Sequence, residues 1–461
     1  MTMDSKTRYF PRWKVNTSGG IVAPDERLPW GPSLLLGFQH VLAMFGSTVV
    51  APLLMGFPPN TAILFSGIGT LIFFLFVGGR VPSYVGSSFA FLGVVATATG
   101  HPLGTGPNPN ISVALGGIIA AGVVYAIIAI AVLLAGYRWL DYLMPPVVTG
   151  TVVMVIGLNL SVSAIKQAAT TSFDAWMALV TIIAVALVSV YAPGLLRRLP
   201  ILIGGIVGYV VYALFGLAGI GPRIDFTQVS KAAWIGLPQF STPVFHTNAI
   251  SIIAPVAIIL AAENIGHIKA VGAMTGHNLD KYLGRAFLGD SVATILAGSF
   301  GGTGVTTYAE NIGVMAVNRV YSTLIFVIAS CIAILFGFCP KFGAVVGTIP
   351  SGVFGGLSIV LFGLIAVTGG RIWIENRVDF SKSSNLIPAG VALVIGAGMT
   401  GGLAVQFGTI AIDGIGLATF ASIILYQILK ERNSQPDEAV FADAAVGTEP
   451  ASKPLEEKSS N

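Results

Sequence analysis

Apolar runs of roughly 18–25 residues recur along the chain, and that is the length an α-helix needs to cross a bilayer. The first set lies near Leu34–Met55, Ala62–Val77, Val85–Ala98, Ile111–Ala135, Val147–Ile165, Trp176–Tyr191 and Ile201–Leu217. A second set follows near Ala249–Ala273, Ala286–Phe300, Val305–Val317, Tyr321–Phe338, Val345–Val367, Leu386–Met399 and Ile415–Leu429. Of the residues, 54% are hydrophobic and 10% are charged, against about 25% charged in a soluble domain. Too little polar surface remains to cover a water-soluble protein, as the mean hydropathy of +0.84 also says. A helix satisfies its own backbone hydrogen bonds in lipid, whereas a membrane barrel would need short alternating strands that are absent here. The expectation is an all-α membrane protein of about fourteen spans in two groups of seven.

The loops orient these spans. With the N-terminus in the cytoplasm, the inner loops hold Arg80, Arg138, Arg197, Arg198, Lys281, Arg285, Arg319, Arg371, Arg377 and Lys382. The outer loops hold Lys166, Arg223, Lys231 and Lys341. Basic residues favour the cytoplasmic side, so both termini are expected inside, in the inner membrane. The formal charge of +4 is explained by these loops and implies no nucleic acid. Residues 1–32 read as a polar cytoplasmic segment with no cleavable leader. Residues 33–220 and 245–430 hold the two groups of seven, and the Pro-, Glu- and Ser-rich stretch 431–461 reads as a disordered cytoplasmic tail. Cys331 and Cys339 share one apolar segment and read as buried apolar cysteines, without disulfide or metal.

Two spans are interrupted at matching places. The third opens Pro82-Ser83-Tyr84-Val85-Gly86-Ser87-Ser88-Phe89, and the tenth opens Gly301-Gly302-Thr303-Gly304-Val305-Thr306-Thr307-Tyr308. Broken spans at the same position of two halves mark a transporter site at the membrane midplane. Seven is odd, so the two halves lie in opposite orientation.

Ionisable residues within spans are costly and point to function. Glu263 lies in the eighth span with His267 four residues on, on one helix face. Glu310 follows the extended part of the tenth span, Asp290 lies in the ninth, and His40 stands beside Gln39 in the first. A flat neutral pyrimidine such as uracil has two N–H donors and two carbonyl acceptors. Two carboxylates can accept from the donors, and the amides of a half-helix N-terminus can donate to the carbonyls. Phe89 or Tyr308 can stack on the ring, and a carboxyl with a histidine one turn away is suited to carry a proton. A packing role is equally open for His40 and Asp290, and His267 has a structural alternative as the partner of Glu263. No phosphate loop, H-E-x-x-H or cysteine-pair motif occurs, so neither cofactor, metal nor enzyme chemistry is expected. A proton gradient is then the drive.

These residues resemble the signatures of the nucleobase–ascorbate transporter (nucleobase–cation symporter-2) family, most of all its bacterial uracil and pyrimidine permeases. The resemblance rests on Gln39-His40 with Met44-Phe45-Gly46, on Gly86-Ser87-Ser88-Phe89-Ala90-Phe91, and on Ala262-Glu263-Asn264-Ile265-Gly266-His267. It continues in Thr306-Thr307-Tyr308-Ala309-Glu310-Asn311-Ile312-Gly313 and Arg319-Val320-Tyr321-Ser322. It implies fourteen spans in two inverted repeats of seven. Spans one to four and eight to eleven would form a core domain, and five to seven and twelve to fourteen a gate domain. It also implies a homodimer and an elevator-like movement. By the same resemblance Glu263 and Glu310 bind the base and His267 acts in proton coupling. Phe89, Tyr308, Ala309 and Ser47 shape the pocket, with Gln39, His40, Asp290 and Asn311 in support. Glu310, where xanthine and urate members typically have glutamine, favours uracil. Ala309, Ser47 and Asn318 depart from the commoner glycine, alanine and threonine and bear on substrate range.

The competing readings are an oxopurine (xanthine or urate) permease and an anion exchanger of the same fold. A sulfate-type anion transporter usually carries a cytoplasmic C-terminal domain, which this chain lacks, and an anion site would not hold two buried glutamates. A channel or membrane enzyme fits the paired broken spans less well.

Overall fold

The computed structural model describes residues 9–17, 20–194, 196–400, 403–407 and 410–430. The expected tail 431–461 lies outside them. Among the described residues, eight spans pass on length and hydropathy alone, from Trp30–Met55 to Ser351–Glu375. The other six expected places hold shorter or more polar helices: Phe91–Thr99, Leu283–Phe300, Ala309–Asn318, Thr323–Gly337, Ser383–Gly398 and Gly414–Leu429. The protein is therefore a helical membrane protein of fourteen segments in two inverted sets of seven.

Packing repeats between the halves. The fourth segment, Ile111–Ala135, packs on the ninth, Leu283–Phe300; their counterparts, Thr323–Gly337 and Pro59–Phe76, pack on each other in the same way. Ser172–Tyr191 with Pro200–Leu217 mirrors Ser383–Gly398 with Gly414–Leu429. On the axis between the halves, Pro146–Ala168 crosses Ser351–Glu375, the most extensive helix pair. Gly157 and Gly369 sit at that crossing. A Cβ on Gly157 would lie 2.6 Å from the Ala366 backbone nitrogen, and one on Gly369 2.5 Å from that of Met154. Small residues let two helix backbones approach this closely within a membrane.

The two interrupted spans meet as strands. Val85–Ser87 pairs antiparallel with Val305–Thr307, in the register Val85 to Thr307, Gly86 to Thr306 and Ser87 to Val305. Extended backbone inside a membrane needs partners for its polar groups, and neighbouring helices complete them symmetrically. The Val85 N–H donates to Thr70 Oγ1 at 2.9 Å, and the Val305 N–H donates to Thr294 Oγ1 at 3.2 Å. Each strand then turns into a half-helix, Phe91–Thr99 or Ala309–Asn318.

Several expectations are corrected. The first span is two helices, Trp30–Ala43 and Phe45–Met55, meeting at Met44. The eighth is Thr247–Ile253 and Val256–Thr275, divided at Ala254-Pro255, where proline removes a backbone donor. The twelfth runs Ser351–Glu375 rather than over 345–367, because Pro340–Val346 is a separate helix bent 85° from Thr323–Gly337. Arg371 consequently lies inside a helix, paired with Glu375 four residues on at 2.6 Å. Cys331 is exposed and Cys339 half-buried: Cys331 shares the outward face of its helix with Leu335, four residues along and 70% exposed. The N-terminal stretch is more than a polar lead-in. Val22 bridges to Val320, Tyr9 donates to the Leu75 and Phe76 carbonyls at 2.8 and 2.9 Å, and Trp13 Nε1 donates to Thr323 Oγ1 at 2.9 Å.

A short helix, Arg138–Leu143, links the fourth span to the fifth. Asp141 on it pairs with Lys269 at 2.8 Å, and Tyr137 donates to Asp280 at 2.7 Å. Asp141 remains 35% exposed in this pair, so the interaction is expected to contribute about 1 kcal/mol. A double-mutant cycle of Asp141→Asn and Lys269→Met, read by thermal unfolding in detergent, checks it; additive single effects would reject the coupling.

Candidate functional site

The half-helix Ala309–Asn318 begins where its strand ends, with Tyr308 as its cap. The Tyr308 N–H donates to the Tyr84 carbonyl at 2.9 Å, which anchors the turn. Its ring is 3% exposed. The hydroxyl donates to the Ser87 carbonyl at 3.1 Å and accepts from Thr48 Oγ1 at 3.1 Å. Tyr308 is thus a strut between the first, third and tenth spans rather than a free stacking face. Gly86 is the only kind of residue that fits beneath the ring: a Cβ there would lie 2.6 Å from the phenol oxygen.

Glu310 stands one residue inside this half-helix, and Ser47 Oγ donates to its Oε1. Ser47 is 1% exposed, so that hydroxyl is committed to the carboxyl. Glu263 is half-buried on Val256–Thr275, within electrostatic reach of Glu310, with the hydroxyls of Ser88 and Thr306 as neighbours. Its Oε2 and the Thr306 Oγ1 are buried without a hydrogen-bond partner. Buried polar atoms are rarely left so, and two together beside a helix N-terminus leave an arrangement that a ligand can complete. The first amides of a helix have no intrahelical acceptor, which supplies a donor at Ala309, while the Glu310 N–H turns to its own carboxyl. Phe89, at the start of the other half-helix, stands edge-on to Phe362 of the twelfth span with centroids 5.9 Å apart.

His267 lies on the face of Glu263 but bonds elsewhere: its Nδ1 contacts Thr307 Oγ1 at 2.8 Å. Asp290 is fully buried and accepts from Asn264 Nδ2, which also donates to Tyr125 OH at 2.9 Å. His40 Nδ1 contacts Asn311 Nδ2 at 2.9 Å, and Gln39 Oε1 accepts from Asn318 at 3.1 Å. Glu263, Glu310, Ser47, Phe89, Tyr308 and Ala309 therefore gather around one half-helix start. Asp290, His40, Gln39 and Asn311 stand behind them as bracing. Ser88, Asn264 and Thr307 stood in the quoted motifs without an assigned role, and Thr48 and Tyr125 were not singled out at all. Tyr125, the one aromatic hydroxyl in the long apolar run Ile111–Ala135, was the clearest signal available for a buried network.

The two half-helices differ in exposure. Ala309, Gly313, Ala316 and Val317 form an exposed face of their half-helix, while Phe91, Leu92, Val94, Val95 and Thr99 of the other half-helix are buried. A Cβ on Gly266 or Gly313 would meet nothing within 4 Å. Replacing Ser47 with Ala removes the donor that orients Glu310 and is expected to weaken ligand binding by several-fold, at about 1 kcal/mol per hydrogen bond. Equilibrium binding of radiolabelled uracil to purified protein checks this, and unchanged affinity would release Ser47 from the role.

A multi-pass helical protein whose paired half-helices meet beside two membrane-embedded carboxyls has the architecture of a membrane permease. The chain matches the permease family over residues 31–405 and belongs to the nucleobase–ascorbate (nucleobase–cation symporter-2) family. It is 57% identical over 427 residues to a protein of Escherichia coli K12 named as the pyrimidine permease RutG, covering 92% of this chain and 96% of that one. It is 38% identical over 433 residues to the uracil permease of the same organism, covering 92% and 97%. The uracil permease of Bacillus caldolyticus is 39% identical over 422 residues, covering 88% and 94%. The fold is shared with the transmembrane domain of the cyanobacterial bicarbonate transporter BicA, at a TM-score of 0.60 and 15% identity over 86% of this chain and 96% of that one. The murine anion transporter Slc26a9 in its inward-facing state gives 0.62 and 11%, over 87% and 68%.

Proposed function

We propose that the protein imports uracil or a related pyrimidine nucleobase by proton symport. The observation that carries the proposal is the convergence of Glu263 and Glu310 on the free N-terminal amides of Ala309–Asn318. Two carboxyls matched to ring N–H donors, and backbone amides matched to ring carbonyls, complement a neutral diketo ring edge for edge. The same two carboxyls disfavour an anion, which argues against the anion transport named for the fold neighbours. The relatives named for uracil and pyrimidine support the substrate class.

In this reading Glu263 or Glu310 carries the proton, with His267, one turn from Glu263 and held by Thr307, acting in the coupling, and the proton gradient is the drive without cofactor or metal. Spans one to four and eight to eleven act as a core that slides against a gate of spans five to seven and twelve to fourteen. The exposed face of Ala309–Val317 is then the cytoplasmic exit, in an inner-membrane protein with both termini inside that works as a homodimer.

Uptake of radiolabelled uracil into proteoliposomes, with and without an inward proton gradient, tests this. Saturable uptake raised by the gradient is expected, with uracil displaced by excess uracil and not by xanthine. Uptake indifferent to the gradient would reject symport, and preferential displacement by xanthine would reject the pyrimidine assignment.

A further inference from the structure

Outside the site, one acidic side chain is buried where the mechanism above gives it no task. Asp413 caps the helix Gly414–Leu429 and is 3% exposed. Its Oδ1 accepts the Gly416 N–H at 2.9 Å, as a helix cap does. Its Oδ2 is buried with no hydrogen-bond partner.

What lies around that second oxygen is informative. Across from it is Gly93, in the half-helix Phe91–Thr99 of the third span. A Cβ on Gly93 would lie 3.1 Å from Asp413 Oδ2 and 3.6 Å from Asn159 Oδ1. The Asn159 amide nitrogen is already committed, donating to the Gly396 and Met399 carbonyls at 2.8 and 2.7 Å. Asn159 therefore turns an acceptor towards the place where Asp413 also presents an acceptor. An ionised carboxylate oxygen there would be dry and without a donor, an expensive state, whereas a protonated one brings its own donor.

Among the described residues, no opposite charge offers an alternative. The segments packed around Asp413 are Phe91–Thr99, Pro146–Ala168, Thr247–Ile253, Ser383–Gly398 and the strand Ala404–Phe407, together with its own helix. Their titratable side chains are Lys166, seven residues along from Asn159, and Tyr426, thirteen along from Asp413. Lys166 is exposed, and Tyr426 lies more than three helical turns from the cap.

We propose, resting on the reading that the core slides against the gate, that Asp413 is a second proton-carrying carboxyl: it holds a proton while the Phe91–Thr99 half-helix is seated against it, and loses that proton when the two part. On separation the Oδ2–H bond breaks, its electron pair stays on Asp413, and the proton passes to the water the opening admits. Reclosure takes a proton back. Proton movement is thereby tied to the closed half of the molecule, away from the ligand carboxyls, and the proposal does not depend on which base is carried.

The test needs no substrate. Thr97 lies one turn beyond Gly93 on the same face, its hydroxyl donating to the Gly93 carbonyl at 2.9 Å. Thr97→Cys, in a background of Cys331→Ser and Cys339→Ser, is labelled with a maleimide in proteoliposomes across pH 6 to 8.5. The rate is taken relative to the same protein carrying Asp413→Asn, which keeps the helix cap and cancels the thiol's own pH dependence. Relative labelling is expected to rise with pH, approaching tenfold per unit at most (roughly, for a single titrating group). A ratio flat across pH would overturn the proposal and leave Asp413 as a cap alone. Should the Asn variant not yield folded protein, Asp413→Ser caps the helix equally well and is read the same way.

Discussion

Glu310→Gln is expected to abolish gradient-driven uracil accumulation and to weaken uracil binding by about ten- to a hundred-fold, the range that 1.5–3 kcal/mol for a charge-assisted hydrogen bond implies. The reason is directional. Ser47 Oγ donates to Glu310 Oε1, and Ser47 is too buried to turn elsewhere. In the variant the amide carbonyl takes that bond, which leaves its NH2 group facing the ligand where an acceptor is needed. A ring N–H would then confront another donor. Equilibrium binding and counterflow separate the two parts of this expectation. Binding within twofold of the unmodified protein would place the ligand away from Glu310, whatever happened to uptake.

Gly86→Ala is expected to eliminate transport and to lower the yield of folded protein. The added carbon would sit 2.6 Å from the Tyr308 hydroxyl oxygen and 2.7 Å from the ring carbon bearing it. Tyr308 cannot retreat without giving up its bonds to Ser87 and Thr48, and its backbone is tied to Tyr84. Overpacking of this kind costs about 1–3 kcal/mol, and here it falls on the turn that aims Glu310. Pairing the change with Tyr308→Leu should return folded protein, seen as a monodisperse peak in detergent, without returning uptake. A Gly86→Ala protein that transports normally would show that the strand crossing tolerates a shift of the ring.

The membrane character, the number of segments and the positions of the two broken spans were legible because hydropathy and local Gly, Ser and Thr content are properties of contiguous residues. The breaks at Met44 and at Ala254-Pro255 were not. Both lie inside runs apolar enough to pass as single helices, and only packing shows that the chain bends there. Cys331 misled for a related reason: an apolar segment has an inner and a lipid-facing side, and composition does not distinguish them.

At the site, the carboxyls stood out because charge within a span is rare. Their companions did not, since Thr48, Ser88 and Thr307 are ordinary residues until the fold sets their hydroxyls beside the half-helices. Likewise His267 and Glu263, four residues apart, share a face as helix geometry requires, yet the histidine bonds to Thr307 on another span.

The amino-acid sequence by itself determined that this chain is a helical membrane protein with two half-crossing segments and few buried charges, because burial in lipid leaves the backbone no other way to satisfy its hydrogen bonds. The tertiary structure alone decided which polar atoms meet, which half-helix is open and which is closed, and where a carboxyl such as Asp413 is left facing another acceptor. Those are distances between residues far apart in the chain, and they follow from how two inverted sets of helices cross rather than from any local pattern.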